Sequence, residues 1–188
     1  MSERPAPSRV GFIGLGKIGF ALAQNVAKAD VAGGPLGRPI HYDLDPDVRS
    51  RFAEDTGSEE ASSVEEAASA ADVLFTALPN DEALISVAFG DGGKGEGEGE
   101  GEGGGANASL RPGAVHVSCS TVSPDVARRV AAAHAARGIG FVSAPVFARP
   151  DGMASGRATI PVSGKPEHVE RVRPFLEATS IELRDGFG

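Results

Sequence analysis

Tryptophan is absent from the 188-residue chain and Tyr42 is its only tyrosine, so an aromatic platform for stacking single-stranded nucleic acid is poorly supplied. An excess of basic charge is missing too. The formal net charge is -8 and the pI is near 5.0, which argues against an electrostatic hold on nucleic acid or on an anionic membrane surface. Cys119 is the single cysteine; it excludes an intrachain disulfide and a cysteine-built zinc site, and no metal partner is expected. No run reaches the roughly 20 apolar residues that span a bilayer. The opening stretch Met1 to Ser8 lacks the apolar core of a secretory signal and is expected to be a flexible tail. These absences predict a cytoplasmic protein with neither nucleic-acid nor membrane partners.

What is present is enough apolar material, 40% of residues, to bury the core of one domain over residues 9 to 188. One composition break stands out, GDGGKGEGEGEGEGGGAN from Gly90 to Asn107. It offers nothing apolar to bury before Ala106 and carries five acids against Lys94, half of the net charge of -8. It reads as a disordered, solvated surface insertion at a loop tip. Around it, short continuous apolar runs predict strands at Arg9 to Ile13, Ile40 to Tyr42, Val73 to Ala77, Ala114 to Ser118, Gly140 to Ala144 and Thr159 to Val162. Between them, helical patterns cover Lys17 to Ala29, Asp47 to Asp55, Val64 to Ala71, Asp81 to Phe89, Pro124 to Arg137 and Pro166 to Glu177. Ser63 and Ser123 suit N-caps, Glu66 completes a capping box with Ser63, and Gly138 suits a C-cap. Alternation of this kind predicts an α/β fold with a doubly wound, mostly parallel sheet and helices on both faces.

The first strand runs directly into Gly14-Leu-Gly16-Lys-Ile-Gly19 and then into an Ala/Leu-rich helix, the order of a dinucleotide site. Each glycine has its own task. Gly14 allows the tight turn, Gly16 lets backbone approach a pyrophosphate, and Gly19 lets the helix pack close to the sheet. The amides of Leu15, Gly16, Lys17 and Ile18 are expected to face the pyrophosphate at the positive helix end. The second strand ends in Asp43, 24 residues after Gly19, near the spacing at which a carboxylate accepts hydrogen bonds from the adenosine ribose. A 2'-phosphate there would meet a like charge, which favours NAD(H) over NADP(H). Arg49 and Arg51 oppose that preference if Asp43 and Asp45 turn away. Leu78 and Pro79 fall at the carboxyl end of the third strand, and Ser118, Ser120 and Thr121 at that of the fourth. Those hydroxyls suit either a ligand's carboxylate or carbonyl oxygen, or capping of the helix that follows.

Taken together, the segments GFIGLGKIG, YDLDPD, TALPN, SCSTVSP and GFVSAPVFARPDGMASGRATIPVSG resemble the cofactor domain of the β-hydroxyacid dehydrogenase family. That family includes 3-hydroxyisobutyrate dehydrogenase and the N-terminal domain of 6-phosphogluconate dehydrogenase. The resemblance runs from Val10 to Leu183 and implies a Rossmann-like domain that binds a nicotinamide dinucleotide. It implies that Gly14 to Ile18 cradle the diphosphate, that Asp43 sits at the adenosine ribose and that Leu78, Pro79 and Thr121 line the nicotinamide side. It also implies that Ser120 contacts a small-molecule substrate. Leu44 stands where NADP users of the family generally place an arginine, in agreement with the charge argument.

The chain departs from the family pattern in three places. Phe147, Ala148 and Arg149 replace the serine and paired glycines after Ala-Pro-Val, which points away from hydroxyisobutyrate and makes Arg149 a candidate for a substrate carboxylate. Ala83 replaces a cofactor-contacting asparagine. The family's second, all-helical domain, with its catalytic lysine, is expected to lie outside this sequence. None of Lys17, Lys28, Lys94 and Lys165 matches the lysine's motif. His41, His116, His134 and His168 fall inside predicted elements and read as structural, and Cys119 reads as a small buried strand-end residue. The expected function is the cofactor domain of an oxidoreductase passing hydride between nicotinamide and a small hydroxy acid. A non-catalytic nucleotide-binding or docking module is the alternative.

Overall fold

The computed structural model describes residues 9–28, 38–90 and 104–185; the expected tail 1–8 and residues 91–103 of the Gly/Glu tract lie outside them. The first half reads β1 (Val10–Ile13), α1 (Lys17–Lys28), β2 (Ile40–Tyr42), α2 (Pro46–Thr56), β3 (Glu59–Glu60), α3 (Val64–Ala70), β4 (Val73–Thr76) and α4 (Asp81–Phe89). The second reads α5 (Ala106–Ser109), β5 (Val115–Ser118), α6 (Pro124–Ala136), β6 (Gly140–Ser143), α7 (Pro150–Ala154), β7 (Ala158–Gly164), α8 (Pro166–Glu177) and β8 (Ser180–Asp185). The strands lie in the order β3-β2-β1-β4-β5-β6-β7-β8. β1 to β6 are mutually parallel, and β7 runs antiparallel to β6 and parallel to β8.

The apolar runs are continuous because these strands are covered on both faces. Val73 and Phe75 of β4 join Phe12, Leu22, Val26, Val117 and Phe175 in one core, while Leu74 joins Ile40, Ala67, Ala68 and Ala71 in another. The doubly wound α/β architecture is thus the one expected, and the six long elements of each type fall close to their predicted bounds. Four elements are additional. β3 is two glutamates with no apolar signal, tolerable because it is an edge strand whose side chains reach solvent. α5 and α7 are single turns of four and five residues, too short for helical periodicity to show. β8 alternates polar and apolar residues beside β7.

The Gly/Glu tract re-enters the fold earlier than expected. Gly105 N–H donates to Glu65 Oε1 at 2.7 Å, Ala106 is fully buried and Asn107 lies in α5. The carboxyl of Glu65 is held below its usual range chiefly by that amide. The capping box also closes one residue off: Ser63 Oγ accepts from Glu66 N–H, but the Glu66 carboxylate takes the N–H and hydroxyl of Ser62. Gly138 follows α6 with φ +71, as a C-terminal glycine should.

Three histidines are buried in the interior. His41 Nε2 donates to the Arg49 carbonyl at 3.0 Å and its Nδ1 accepts from the Ser58 hydroxyl at 2.8 Å. The other two form a chain. Asn107 Oδ1 can only accept, so His134 Nδ1 donates to it and His134 Nε2 accepts from His116 Nδ1–H, both at 2.9 Å. His116 Nε2 then accepts from the Thr76 hydroxyl at 2.9 Å. In the neutral form every ring nitrogen of the pair is partnered.

Candidate functional site

A cavity of about 830 Å³ opens at the carboxyl ends of β1, β2, β4 and β5. β1 is flanked by β2 on one side and β4 on the other, so consecutive crossovers depart in opposite directions and leave a crevice at that point of the sheet. Its rim is continuous with the ladder: Gly14 N–H bonds the Tyr42 carbonyl, Ala77 N–H that of Ile13, and Cys119 N–H that of Thr76.

The glycine loop forms the floor. Gly14 has φ +86, and a Cβ there would stand 2.5 Å from the Ala77 carbonyl oxygen. A Cβ at Gly19 would stand 2.1 Å from the Gly14 carbonyl oxygen, so the helix starts in direct backbone contact with the turn. At Gly16 nothing lies within 4 Å of that position, and the open space is the cavity. Lys17 and Ile18 open α1 beside it, where the first-turn amides have no intrahelical acceptor. Leu15 behaves differently from its expectation. Its side chain is buried in the core and its N–H donates to Asp43 Oδ2 at 2.6 Å, so this amide is committed to the acid and not turned to the cavity.

Asp43 is in the wall, with its other oxygen accepting from Asp45 N–H at 2.9 Å. Neither arginine beyond it is turned to the cavity. Arg49 pairs with Glu60 at 2.7 Å and donates to the Asp43 carbonyl at 2.7 Å, and Arg51 lies over the Phe20 ring at 5.0 Å. Leu78, Pro79 and Thr121 stand in the opposite wall with Ala83 and Cys119. Burial pushes the Cys119 thiol up to about 12, which leaves it protonated and unreactive.

Ser120 and Arg149 are not brought to this wall. Ser120 is 4% exposed, and its hydroxyl oxygen accepts the Leu78 N–H at 2.8 Å, because the amide just past the end of β4 needs an acceptor that the ladder no longer supplies. Arg149 is exposed at the start of α7, a turn carried against α1 by the bond from Asn25 Nδ2 to the Met153 carbonyl. Replacement of Ser120 by Ala is expected to lower stability by about 1–3 kcal/mol, since it orphans a strand-end amide. Chemical denaturation checks this; a loss under about 0.5 kcal/mol would show that the hydroxyl does not hold the loop.

The residues missed from sequence come from the start of α3 and the end of α4, among them Ser63, Val64, Glu65 and Val87. The cap at Ser63 signalled a helix start, but only the sheet order shows that this start faces the crevice. Among the described residues Lys17 is the one lysine of the wall, and no histidine reaches it. Among the described residues no group of three potential ligands could hold a metal ion, and no helix is long and apolar enough to cross a membrane.

Comparison with known proteins agrees with this geometry. The chain is 31% identical over 183 residues to the uncharacterized oxidoreductase YfjR of Bacillus subtilis, covering 94% of this chain and 55% of that protein. It is 31% identical to 3-hydroxyisobutyrate dehydrogenase of Pseudomonas aeruginosa over 89% of this chain and 50% of that enzyme. The solved structure of Psf3 in complex with NADP+ and 2-OPP superposes with a TM-score of 0.79 at 25% identity, covering 94% of this chain and 56% of that one. The chain thus spans about half the length of the curated relatives it matches. Residues 9–184 match the family profile of the NAD binding domain of 6-phosphogluconate dehydrogenase, and with the glycine loop, Asp43 and the crevice in their places the chain belongs to that family as an NAD(P)-binding domain.

Proposed function

We propose that the chain binds NAD(H) in preference to NADP(H) in this cavity and forms the cofactor half of an oxidoreductase acting on a small hydroxy acid or a related substrate. The observation that carries the reading is the tie between Asp43 and the glycine loop. The Leu15 amide fixes the carboxylate beside Gly16, whose missing side chain leaves the cavity floor open. The lone pairs left on Asp43 suit ribose hydroxyls, and the first-turn amides of α1 with Lys17 suit a diphosphate. When bound, the dinucleotide supplies hydride chemistry at its nicotinamide ring. Leu78, Pro79 and Thr121 would bound that ring, with Ser120 holding Leu78 in place from beneath. A group to move the substrate proton is proposed to come from residues beyond this chain, because among the described residues the wall holds no histidine and its lysine belongs to the loop. The want of such a group equally favours the second reading, a nucleotide-binding module without turnover; hydride transfer by the 188-residue chain itself would overturn that one.

The test is unfolding with and without nucleotide. At 100 times its dissociation constant NAD+ is expected to add about 2.7 kcal/mol. Gly16→Ala is expected to abolish the response and to raise the stability of the unliganded chain by about 0.4–1 kcal/mol, since its Cβ meets nothing and the unfolded chain loses freedom. A wild-type chain that responds to no nucleotide, or a variant that responds as the wild type does, would overturn the reading.

A further inference from the structure

We infer that Glu60 determines cofactor choice by withholding Arg49 from the ribose end of the cavity, an inference that rests on the reading that the adenosine ribose lies at Asp43. Arg49 is carried by α2, six residues beyond Asp43. Its guanidinium is fixed on three sides: Nη1 donates to the Asp43 carbonyl at 2.7 Å, Nε pairs with Glu60 Oε1 at 2.7 Å, and the group lies 5.6 Å from the Tyr42 ring centroid. Its backbone is fixed as well, because buried His41 donates to the Arg49 carbonyl. Glu60 owes its place to sheet register, since β3 pairs with β2 through His41 and Glu60. One residue of β2 thus sits next to the acid that holds the arginine and also anchors the arginine's own turn.

A ribose 2'-phosphate needs a cation within hydrogen-bonding reach, and a guanidinium is the side chain best shaped for it. Arg49 touches the main chain of the ribose acid, yet its charge is matched by a carboxylate on the far side. Arg51 is spent on the Phe20 ring. Discrimination therefore has two parts. Asp43 repels the phosphate, and Glu60 keeps Arg49 from answering it.

The experiment measures dissociation constants of NAD+ and NADP+ by calorimetry for the wild type, Glu60→Gln, Glu60→Ala, Arg49→Met and Glu60→Ala combined with Arg49→Met. Glu60→Ala is expected to improve NADP+ binding about tenfold relative to NAD+, with NAD+ itself changed less than about twofold, and Glu60→Gln to do so more weakly because an amide oxygen can still accept from Arg49. The gain should vanish in the double variant. The stability of the unliganded Glu60 variants should fall by no more than about 1 kcal/mol, as the Glu60 side chain is 36% exposed and that of Arg49 19%. An unchanged NADP+ to NAD+ ratio in Glu60→Ala, or a gain that survives loss of Arg49, overturns the inference while leaving the cavity assignment intact. A wild-type chain that binds neither nucleotide overturns both.

Discussion

Between pH 7 and pH 5 the unliganded chain is expected to lose at least about 2 kcal/mol of stability, from histidines that the fold keeps neutral. His116 is held well below the usual imidazole range by burial and then by His134, and burial lowers His134 to about 4. A depressed folded value means that protons bind the unfolded chain more readily. The contribution is complete above the ordinary value of about 6.5 and drains away as pH falls from there towards 4. Such a group removes about 1.4 kcal/mol per pH unit inside that window, so about 2 kcal/mol from His134 is gone by pH 5, and His116 acts in the same direction. Against a total of roughly 5–15 kcal/mol for a domain this is a large fraction.

The hydrogen-bond order makes the effect cooperative. A proton arriving at His134 Nε2 would face the N–H of His116 unless that ring changes tautomer and the Thr76 hydroxyl turns away. Denaturant midpoints at pH 7 and pH 5 measure the loss, and His134→Gln should flatten the slope. Equal midpoints at the two pH values would sink the neutral-chain description. His41, whose value is lowered by burial against the opposing pull of the Arg49 carbonyl, adds to the same slope.

The second large effect is expected from Gly19→Ala. Alanine is worth about 1 kcal/mol more than glycine inside a helix, so propensity alone predicts a stabler protein. The added Cβ, however, would lie 2.1 Å from the Gly14 carbonyl oxygen and 3.0 Å from the Ala77 Cβ. Gly14 is not free to retreat, because its N–H is bonded to the Tyr42 carbonyl at 3.1 Å. α1 would have to lift from β1 and β4 to make room. Overpacking of this sort costs typically 1–3 kcal/mol and more where main chain is the obstacle, so a net loss of about 3 kcal/mol is expected. Chemical denaturation decides it, and a Gly19→Ala chain within 1 kcal/mol of wild type would show that the loop yields. The contrast with Gly16→Ala is the useful part: one substitution strikes the fold, the other only the floor of the cavity.

Most of the architecture could be read from the chain because each long element states its own type. Val10-Gly-Phe-Ile13 and Val73-Leu-Phe-Thr76 are continuous apolar runs, and Gly14, Gly16 and Gly19 mark where the first of them turns into a helix. Elements whose shape is imposed by their neighbours were not legible. Glu59 and Glu60 are a strand only because β2 offers an open edge, and Ala106 to Ser109 are a turn of helix only because α3 and α6 present Glu65 and His134 to them. The site divides in the same way. Spacing was sufficient to place Gly16, Asp43, Leu78, Pro79 and Thr121 at one edge. It could not tell that Leu15 commits its amide to Asp43 or that the Ser120 oxygen accepts from Leu78, because both bonds join strand-end loops far apart in sequence. Nor could it tell that Phe147 and Arg149 end up exposed and off the wall.

The placement of Tyr42 has a practical consequence. It is the only tyrosine of a chain without tryptophan, and it stands in the cavity wall beside Asp43. Nearly all of the protein's near-ultraviolet emission therefore originates at a single ring, next to the point where an adenosine would settle. Tyrosine emission partly overlaps the absorption of reduced nicotinamide, so on the proposed reading an arriving NADH is expected to quench this one ring, an optical signal of occupancy that needs no label.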